Sequence, residues 1–290
     1  MCPICKSKNQ IRVWNNKIRD GKKSYSRNKI KIFFCLNCET RYKLVRSKKY
    51  LDNVIFRKKY DGEASIKKYY SFNEKRELNK FKNFFKKINF KNKKVLEHNC
   101  GGGSILKQIK KKTKFVAGVD SFYYKDYLTK NGIKYFPNIN QIIKENKKFD
   151  VILSLGEIEH KYDPVLFLKS LKKILKKNSL LIVRIPNFDN IYRFTLNDIF
   201  LKDDYRTSHN FYFNENSLDY LFKKVGFKTI DKSGLQEYSI NNFLSYLKFN
   251  KRPKNKEINF FNSKIDKLFK KNLENTLTST SLLYILKKNV

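Results

Sequence analysis

The chain is short of acid, short of histidine and without a long apolar run. Its 290 residues hold 26 Asp and Glu against 65 Lys and Arg, a formal net charge of +39, and only three histidines. The longest apolar stretches, such as Leu180-Leu181-Ile182-Val183, are strand-sized, far below the roughly 20 residues that cross a bilayer as a helix. The start, Met1-Cys2-Pro3-Ile4-Cys5, carries no signal-peptide pattern, so the expected location is cytoplasmic. Wholesale disorder is excluded as well. With 40% hydrophobic and 15% aromatic residues the chain can fill a core, despite 31% charged residues and a mean hydropathy of -0.64. The length suits one catalytic domain plus a small appendage.

What is present in excess is lysine. A charge of +39 suggests a polyanionic partner, but 54 of the 65 basic residues are Lys, and Asn, Ile, Phe and Tyr are abundant too. All have A/T-rich codons, so genome composition explains much of the excess. The lysines also recur on solvated helix faces, as at Lys107, Lys110, Lys111 and Lys112. One asymmetry survives: residues 1–50 carry +13 and the other 240 carry +26, a charge density more than twice as high at the N-terminus.

Four of the five cysteines form two Cys-x2-Cys pairs, Cys2 with Cys5 and Cys35 with Cys38. Each pair suits a knuckle that aims two thiolates at one ion, and the interval between them suits strands that return to close a tetrahedron. A cytosolic setting argues against disulfides, and a segment of about 50 residues needs a staple to fold. The expected structure is a zinc ribbon over 1–45, with iron as the competing metal. A four-thiolate site has no open ligand position, so its metal is structural and contributes roughly 10 to 16 kcal/mol to folding.

Residues 46–72 are basic and weakly periodic, with a turn signal at Asp61-Gly62, and read as a connector. Asn73 then caps a helix through Ile88, with Leu78, Phe81, Phe84, Phe85 and Ile88 at helical spacing. Beyond it, apolar runs at 94–96, 115–119, 149–155 and 180–185 alternate with helical stretches near 104–112, 139–146 and 164–176. Such alternation predicts a parallel sheet covered on both faces, with ligands beyond the carboxyl ends of the strands.

The first strand end reads Val95-Leu96-Glu97-His98-Asn99-Cys100-Gly101-Gly102-Gly103. Missing side chains there admit a ligand to the backbone, and the following helix start offers unpaired N–H donors. A dinucleotide fingerprint fails by register, since it needs glycine at Leu106, or at both Asn99 and Ser104. The second strand ends Gly118-Val119-Asp120. A carboxylate about 20 residues past the turn can accept hydrogen bonds from both hydroxyls of a ribose; the plainer alternative is a helix cap ahead of Ser121.

These motifs together resemble the class I S-adenosylmethionine-dependent methyltransferases over residues 74–290. Residues 95–103 and 118–120 look like the family's first two motifs. The stretches Leu155-Gly156-Glu157-Ile158-Glu159-His160, Asp163-Pro164 and Ile185-Pro186-Asn187 are similar to its fourth and fifth strand regions, and Ser208-His209-Asn210-Phe211 to the region before its sixth. The resemblance implies a Rossmann-like, seven-stranded α/β sheet over 73–290, with Leu282–Leu286 as a last, antiparallel strand and 235–280 as an insertion before it. It implies that Glu97 holds the cofactor's amino group, that Asn99, Cys100, Gly101 and Gly103 line its methionine part, and that Asp120 and Ser121 take the ribose. Ser154 and Leu155 would pass beneath the sulfonium, with Asn138 near the adenine. Asn99 stands where the family's first glycine usually is, and Asn is the residue after Gly most able to take positive φ.

His160 and His209 both follow strand ends on the ligand side, and are the candidate general bases; His98 reads as structural. No thiol is left for a covalent route to cytosine C5, and the turn after the fourth strand lacks the Asn/Asp-Pro-Pro-aromatic pattern of enzymes that methylate base amino groups. The leading expectation is methyl transfer to a small acceptor, a sugar, nucleotide-sugar or quinone-like metabolite, most readily at oxygen. The alternatives are a ribosomal RNA base methyltransferase whose basic ribbon contacts phosphates, and a non-catalytic zinc-binding interaction protein.

Overall fold

The ribbon's hairpin and the catalytic sheet each form from short apolar strands, and the two sheets then share a boundary. A computed structural model describes residues 1–21, 24–47, 80–81, 84–120, 124–250 and 258–288, with residues 197–199 described in backbone only. Most of the 46–72 connector, including Asp61-Gly62, and the start of the Asn73 helix lie outside the described residues. Three strands come first: β1 (Gln10–Asn16), β2 (Ile30–Cys35) and β3 (Arg41–Lys43). The alternation follows with β4 (Lys94–His98), α1 (Ser104–Ile109), β5 (Phe115–Val119), α2 (Lys125–Lys130), β6 (Lys134–Phe136), α3 (Ile139–Lys144) and β7 (Phe149–Leu155). Next are α4 (Pro164–Ile174), β8 (Leu175–Pro186), α5 (Ile191–Asp204) and β9 (Phe211–Tyr212). The chain closes with α6 (Glu215–Val225), β10 (Phe227–Leu235), α7 (Ile240–Phe249), α8 (Ser263–Asn275) and β11 (Ser281–Lys288).

The seven-stranded sheet runs β10-β11-β8-β7-β4-β5-β6. Strands β4 to β8 are parallel, and β11 lies antiparallel between β8 and β10. Both faces are covered, as the near-continuous apolar runs require. Leu96, Leu181 and Val183 join one core with α3, α4 and α6, while the alternate residues Val95 and Ile182 join the other with α1 and Phe81, Phe84 and Ile88. This is the Rossmann-like methyltransferase architecture the sequence predicted. Each fully buried Leu, Ile or Val contributes about 1.5 to 3 kcal/mol, so opposite-facing neighbours in one strand tie both layers to the sheet.

Local signals set the element ends. Asp163 accepts a hydrogen bond from the Leu166 N–H at 2.9 Å, with Pro164 in the first turn of α4. Asn214 and Ser217 form a capping box at the start of α6, and Gly226 ends that helix at φ 79°. No helix of the described residues is long and apolar enough to cross a membrane.

The ribbon does not hang free. β3 pairs antiparallel with β9, placing Arg41 opposite Tyr212 and Tyr42 opposite Phe211, so the catalytic region supplies the fourth strand of the sheet β1-β2-β3-β9. Ile18 and Ile32 of the ribbon pack in one cluster with Phe188, Tyr205 and Tyr212. The buried Arg41 guanidinium lies 4.4 Å from the Phe34 ring and 4.1 Å from the Phe188 ring, with Asp189 at 3.8 Å. Stacking of this kind holds a desolvated cation that a bare ion pair would not.

Candidate active site

The turn after β4 is built on alternating left-handed residues. Asn99, Gly101 and Gly103 take φ values of 58°, 53° and 70°, so the substituted first position of the turn adopts the conformation that asparagine tolerates. The Asn99 and Cys100 N–H groups donate to the Val119 carbonyl at 2.8 and 3.3 Å, which moors the turn to the end of β5. A Cβ at Gly103 would come within 2.7 Å of Ile133 and 2.9 Å of Leu128, and one at Gly118 within 2.4 Å of Cys100 Sγ. Cys100 is therefore a packing group beneath the turn. Burial, with Asp120 and Glu97 nearby, pushes its thiol well above the ordinary range, which removes it as a nucleophile.

The two carboxylates of the motifs meet here. Glu97 and Asp120 are both buried, and Asp120 accepts a hydrogen bond from the Gly101 N–H at 2.6 Å. The Asp120 carboxylate thus turns back to the glycine turn, while Ser121 lies outside the described residues. Asn138 is exposed and caps α3 by accepting from the Gln141 N–H at 3.0 Å. Its side-chain oxygen is occupied by that cap, a role the sequence reading did not give it.

Register brings β7 alongside. His98 stands opposite Val119 of β5 and Ser154 of β7. Ser154 is fully buried and its hydroxyl has no hydrogen-bond partner in the described structure, an opening suited to a ligand. Leu155 is half-buried at the strand end. His98 packs edge-on against Phe167 at 4.9 Å, with Nδ1 3.4 Å from the buried Glu157, which also pairs with Lys161. Burial holds its imidazole neutral, a packing role.

The other two histidines come together. Their ring centroids lie 4.7 Å apart and nearly perpendicular, although 49 positions separate them. The Ser208 carbonyl can only accept, so His160 donates from Nδ1 at 2.8 Å and leaves Nε2 with its lone pair, 3.8 Å from Glu159 Oε1. Burial, reinforced by Arg206, Lys161 and Lys43, depresses His160 to about 3, and burial takes His209 well below its usual range. Both imidazoles are neutral at pH 7. Glu159 is the group that titrates there: burial raises it to about 7, and Glu157 adds to the rise while Arg184 and Arg206 oppose it.

The four ribbon thiols converge as well. Cys2 and Cys38 sulfurs are 3.6 Å apart, Cys5 and Cys35 sulfurs 3.4 Å, and all four lie within 4.8 Å of one another. Tetrahedral zinc with bonds of about 2.3 Å needs sulfur separations near about 3.8 Å, so the donor set fits. Both knuckles turn the same way: Lys6 at φ 68° and Glu39 at φ 55° follow Cys5 and Cys38, and their N–H groups bond back to the carbonyls of Cys2 and Cys35.

A methyltransferase-domain family matches residues 70–232, more than half of the chain. The chain belongs to this methyltransferase family. Among curated proteins it is 34% identical over 104 residues to a ubiquinone biosynthesis O-methyltransferase of Pelagibacter ubique, covering 33% of this chain and 43% of that protein. It is 27% identical over 165 residues to a tRNA U34 carboxymethyltransferase of Campylobacter fetus, covering 53% and 57%. The chain thus spans about half the length of these relatives. Two solved structures share its fold: a chain of the Haloferax volcanii complex between the Trm112 methyltransferase activator and a methyltransferase (TM-score 0.54, 12% identity, 76% of this chain and 93% of that one), and a Pyrococcus horikoshii protein (TM-score 0.51, 15% identity, 82% and 100%).

Sequence reasoning passed over three charged groups around the histidine pair. Glu159 was visible in its motif but carried no assigned role, because its carboxyl is shifted by burial and not by a neighbour in sequence. Lys43 and Arg206 were single basic residues among 65. Only the pairing of β3 with β9 singles them out.

Proposed function

We propose that this methyltransferase acts on a small-molecule acceptor, a sugar, nucleotide-sugar or quinone-like metabolite, at a hydroxyl, with His160 as general base and Glu159 behind it. The observation that carries the proposal is the trio of Glu159, His160 and His209, in which Glu159 (3% exposed) and His209 (4%) are buried and His160 is half-buried. An enclosed polar cluster suits an acceptor that leaves water altogether. Bound S-adenosylmethionine supplies a methyl group activated on a sulfonium. Glu97 and Asn99 to Gly103 would hold its methionine part and Asp120, with Ser121, its ribose. Ser154 and Leu155 would lie beneath the methyl. The protein's own part is alignment and proton removal. Nε2 of neutral His160 accepts the hydroxyl proton, ionised Glu159 stabilises the resulting imidazolium, and His209 packs across the ring. Depressed to about 3, His160 is a weak base on its own, and ionised Glu159 must offset the neighbouring cations before its contribution approaches about 10² in rate, the low end for a positioned base.

The four thiolates of Cys2, Cys5, Cys35 and Cys38 are proposed to hold structural zinc, and the protein to work in the cytoplasm. A second reading, an RNA acceptor, draws on the match to a tRNA-modifying enzyme and on the +13 carried by residues 1–50. Methyl-labelled cofactor mixed with the purified protein and a cell extract divided into RNA and metabolite fractions decides between them. Label in a metabolite, insensitive to added salt and abolished in His160→Ala, is the expected result. Label confined to RNA overturns the small-acceptor reading, and absence of any heat with S-adenosylmethionine in calorimetry overturns the site assignment.

A further inference from the structure

Two cations border the histidine pair: Lys43, which has no carboxylate partner among the described residues, and Arg206, whose charge acts on Glu159. Lys43 ends β3, is 5% exposed, and donates from Nζ to the Thr207 carbonyl at 2.7 Å. Desolvation lowers its ammonium to about 8, and no acid offsets that burial. Arg206 buries an Nε that finds no hydrogen-bond partner. A lone ammonium or guanidinium buried in a protein is costly unless something anionic meets it.

The backbone places both groups beside the histidine pair. The Lys43 N–H donates to the Asn210 carbonyl at 3.0 Å, which fixes the ammonium beside Thr207. The next carbonyl, Ser208, takes the His160 proton, and His209 follows in sequence. Lys43 and Arg206 therefore flank the stretch that positions both imidazoles, and both cations oppose protonation of His160 and of His209. Buried Asn210 binds the assembly together: its amide donates to the carbonyls of Ser47 and His160 at 2.8 Å each, and its carbonyl oxygen accepts from the Ser47 N–H at 2.9 Å. The ribbon's exit strand and the turn after β7 thus share one hydrogen-bond node.

Donor atoms of Glu159, His160 and His209 lie within 4.8 Å of one another, a spacing that would also suit a divalent cation. The charge around them argues the other way. Lys43, Arg206 and Lys161 all act on His160, although Lys161 also pairs with Glu157, and Glu159 holds its proton up to about pH 7. An incoming dication would meet Lys43 and Arg206 beside a largely protonated Glu159; an anion would meet an ammonium with no carboxylate partner and the Arg206 guanidinium.

We infer that Lys43 of the ribbon, with Arg206, grips an anionic group of the acceptor, a carboxylate or a phosphoryl oxygen, so that the ribbon is a specificity element of the methyl-transfer site. This rests on the small-acceptor reading above and deepens it.

The test uses the three histidines of the full-length, metal-loaded chain, whose ring 1H–15N signals are few enough to assign. Inorganic pyrophosphate and benzoate are titrated separately, with glucose as the uncharged control. Surface binding to a chain of +39 leaves buried rings unmoved, whereas binding at Lys43 shifts the His160 and His209 signals and not that of His98. Lys43→Met should weaken that response at least about tenfold, the loss of one charge-assisted bond. Lys43→Arg should retain it, and Lys267→Met on the exposed face of α8 should change nothing. A response to pyrophosphate alone assigns a phosphoryl-bearing acceptor, and to benzoate alone a carboxylate. Arg206→Gln supplies the same comparison if Lys43→Met loses the His98 signal of the folded domain. The inference is overturned if neither anion moves the two rings, if the Lys43→Met response matches the parent, or if magnesium or zinc chloride moves them while both anions are silent. Calorimetry with S-adenosylmethionine on the same samples separates the two levels: heat with the cofactor but no ring response sinks this inference alone, and no heat sinks the methyl-transfer reading.

Discussion

The two ends of the proposed site, one for cofactor and one for acceptor, are built by different means. The cofactor end is local: Glu97, the turn Asn99 to Gly103 and Asp120 fall within 24 residues, and backbone conformation does most of the shaping. The acceptor end is assembled from β3, the turn after β7 and the segment before β9, and its character is set by burial and charge. A turn made of backbone dihedrals is written into nearby residues, whereas a charged pocket exists only after distant segments pack.

Breaking the ribbon should separate the two ends most sharply. Cys35→Ser, or chelation of the proposed zinc, should remove a term of roughly 10 to 16 kcal/mol from ribbon folding. Because β3 is the partner of β9, methyl transfer should be lost while cofactor affinity, read by calorimetry, changes by less than about threefold. Transfer surviving metal removal would show that the acceptor end stands without the ribbon.

The reciprocal experiment strikes the cofactor end. Gly103→Val places a Cβ 2.7 Å from Ile133 at a φ of 70°, with an expected stability loss of about 2 to 4 kcal/mol from overpacking and backbone strain. Asp120→Asn should weaken cofactor binding about ten- to a hundredfold, as charge-assisted bonds are lost, and leave the pyrophosphate response of the histidine rings intact. Denaturant titration and calorimetry check the two variants.

Glu159 sharpens the comparison through pH. Its folded value of about 7 lies above the ordinary 4.5, so ionising it is unfavourable in the folded chain. Stability contributed by the protonated form is fully present below about pH 4.5 and falls as pH rises to about 7, a loss of up to about 3 kcal/mol. Activity should climb over the upper part of that range, since the ionised form supports His160. Glu159→Gln should flatten both profiles and lower the rate about tenfold or more. A smaller effect is expected from salt: turnover of a small acceptor should vary less than about threefold between 50 and 200 mM salt, because buried charges are weakly screened.

Much of the catalytic fold was legible beforehand. The apolar runs ending at Leu96, Val119 and Leu155 became β4, β5 and β7, and the switch from period 3.6 to continuous apolar sequence marks where helices give way to strands. Boundaries moved where propensity competes with pairing: α4 passes into β8 at Leu175 with no loop, and residues 110–112 tighten into a 3-10 turn. The strand β6 over Lys134–Phe136 went unread because three residues show no periodicity. Asn138 illustrates the converse, since an Asn two residues past that strand is as good a helix cap as a ligand.

The sequence by itself determined the alternating strands and helices, the glycine turn with its left-handed Asn99, and the four thiols at metal spacing. These depend on residues close along the chain, through steric limits on φ and the periodicity of burial. Only the tertiary structure decided that β9 completes the ribbon's sheet, that His160 and His209 touch, and that Lys43 and Arg206 border them. Such facts arise from desolvation and from charges brought together across long stretches of chain, and neither exists until the chain has folded.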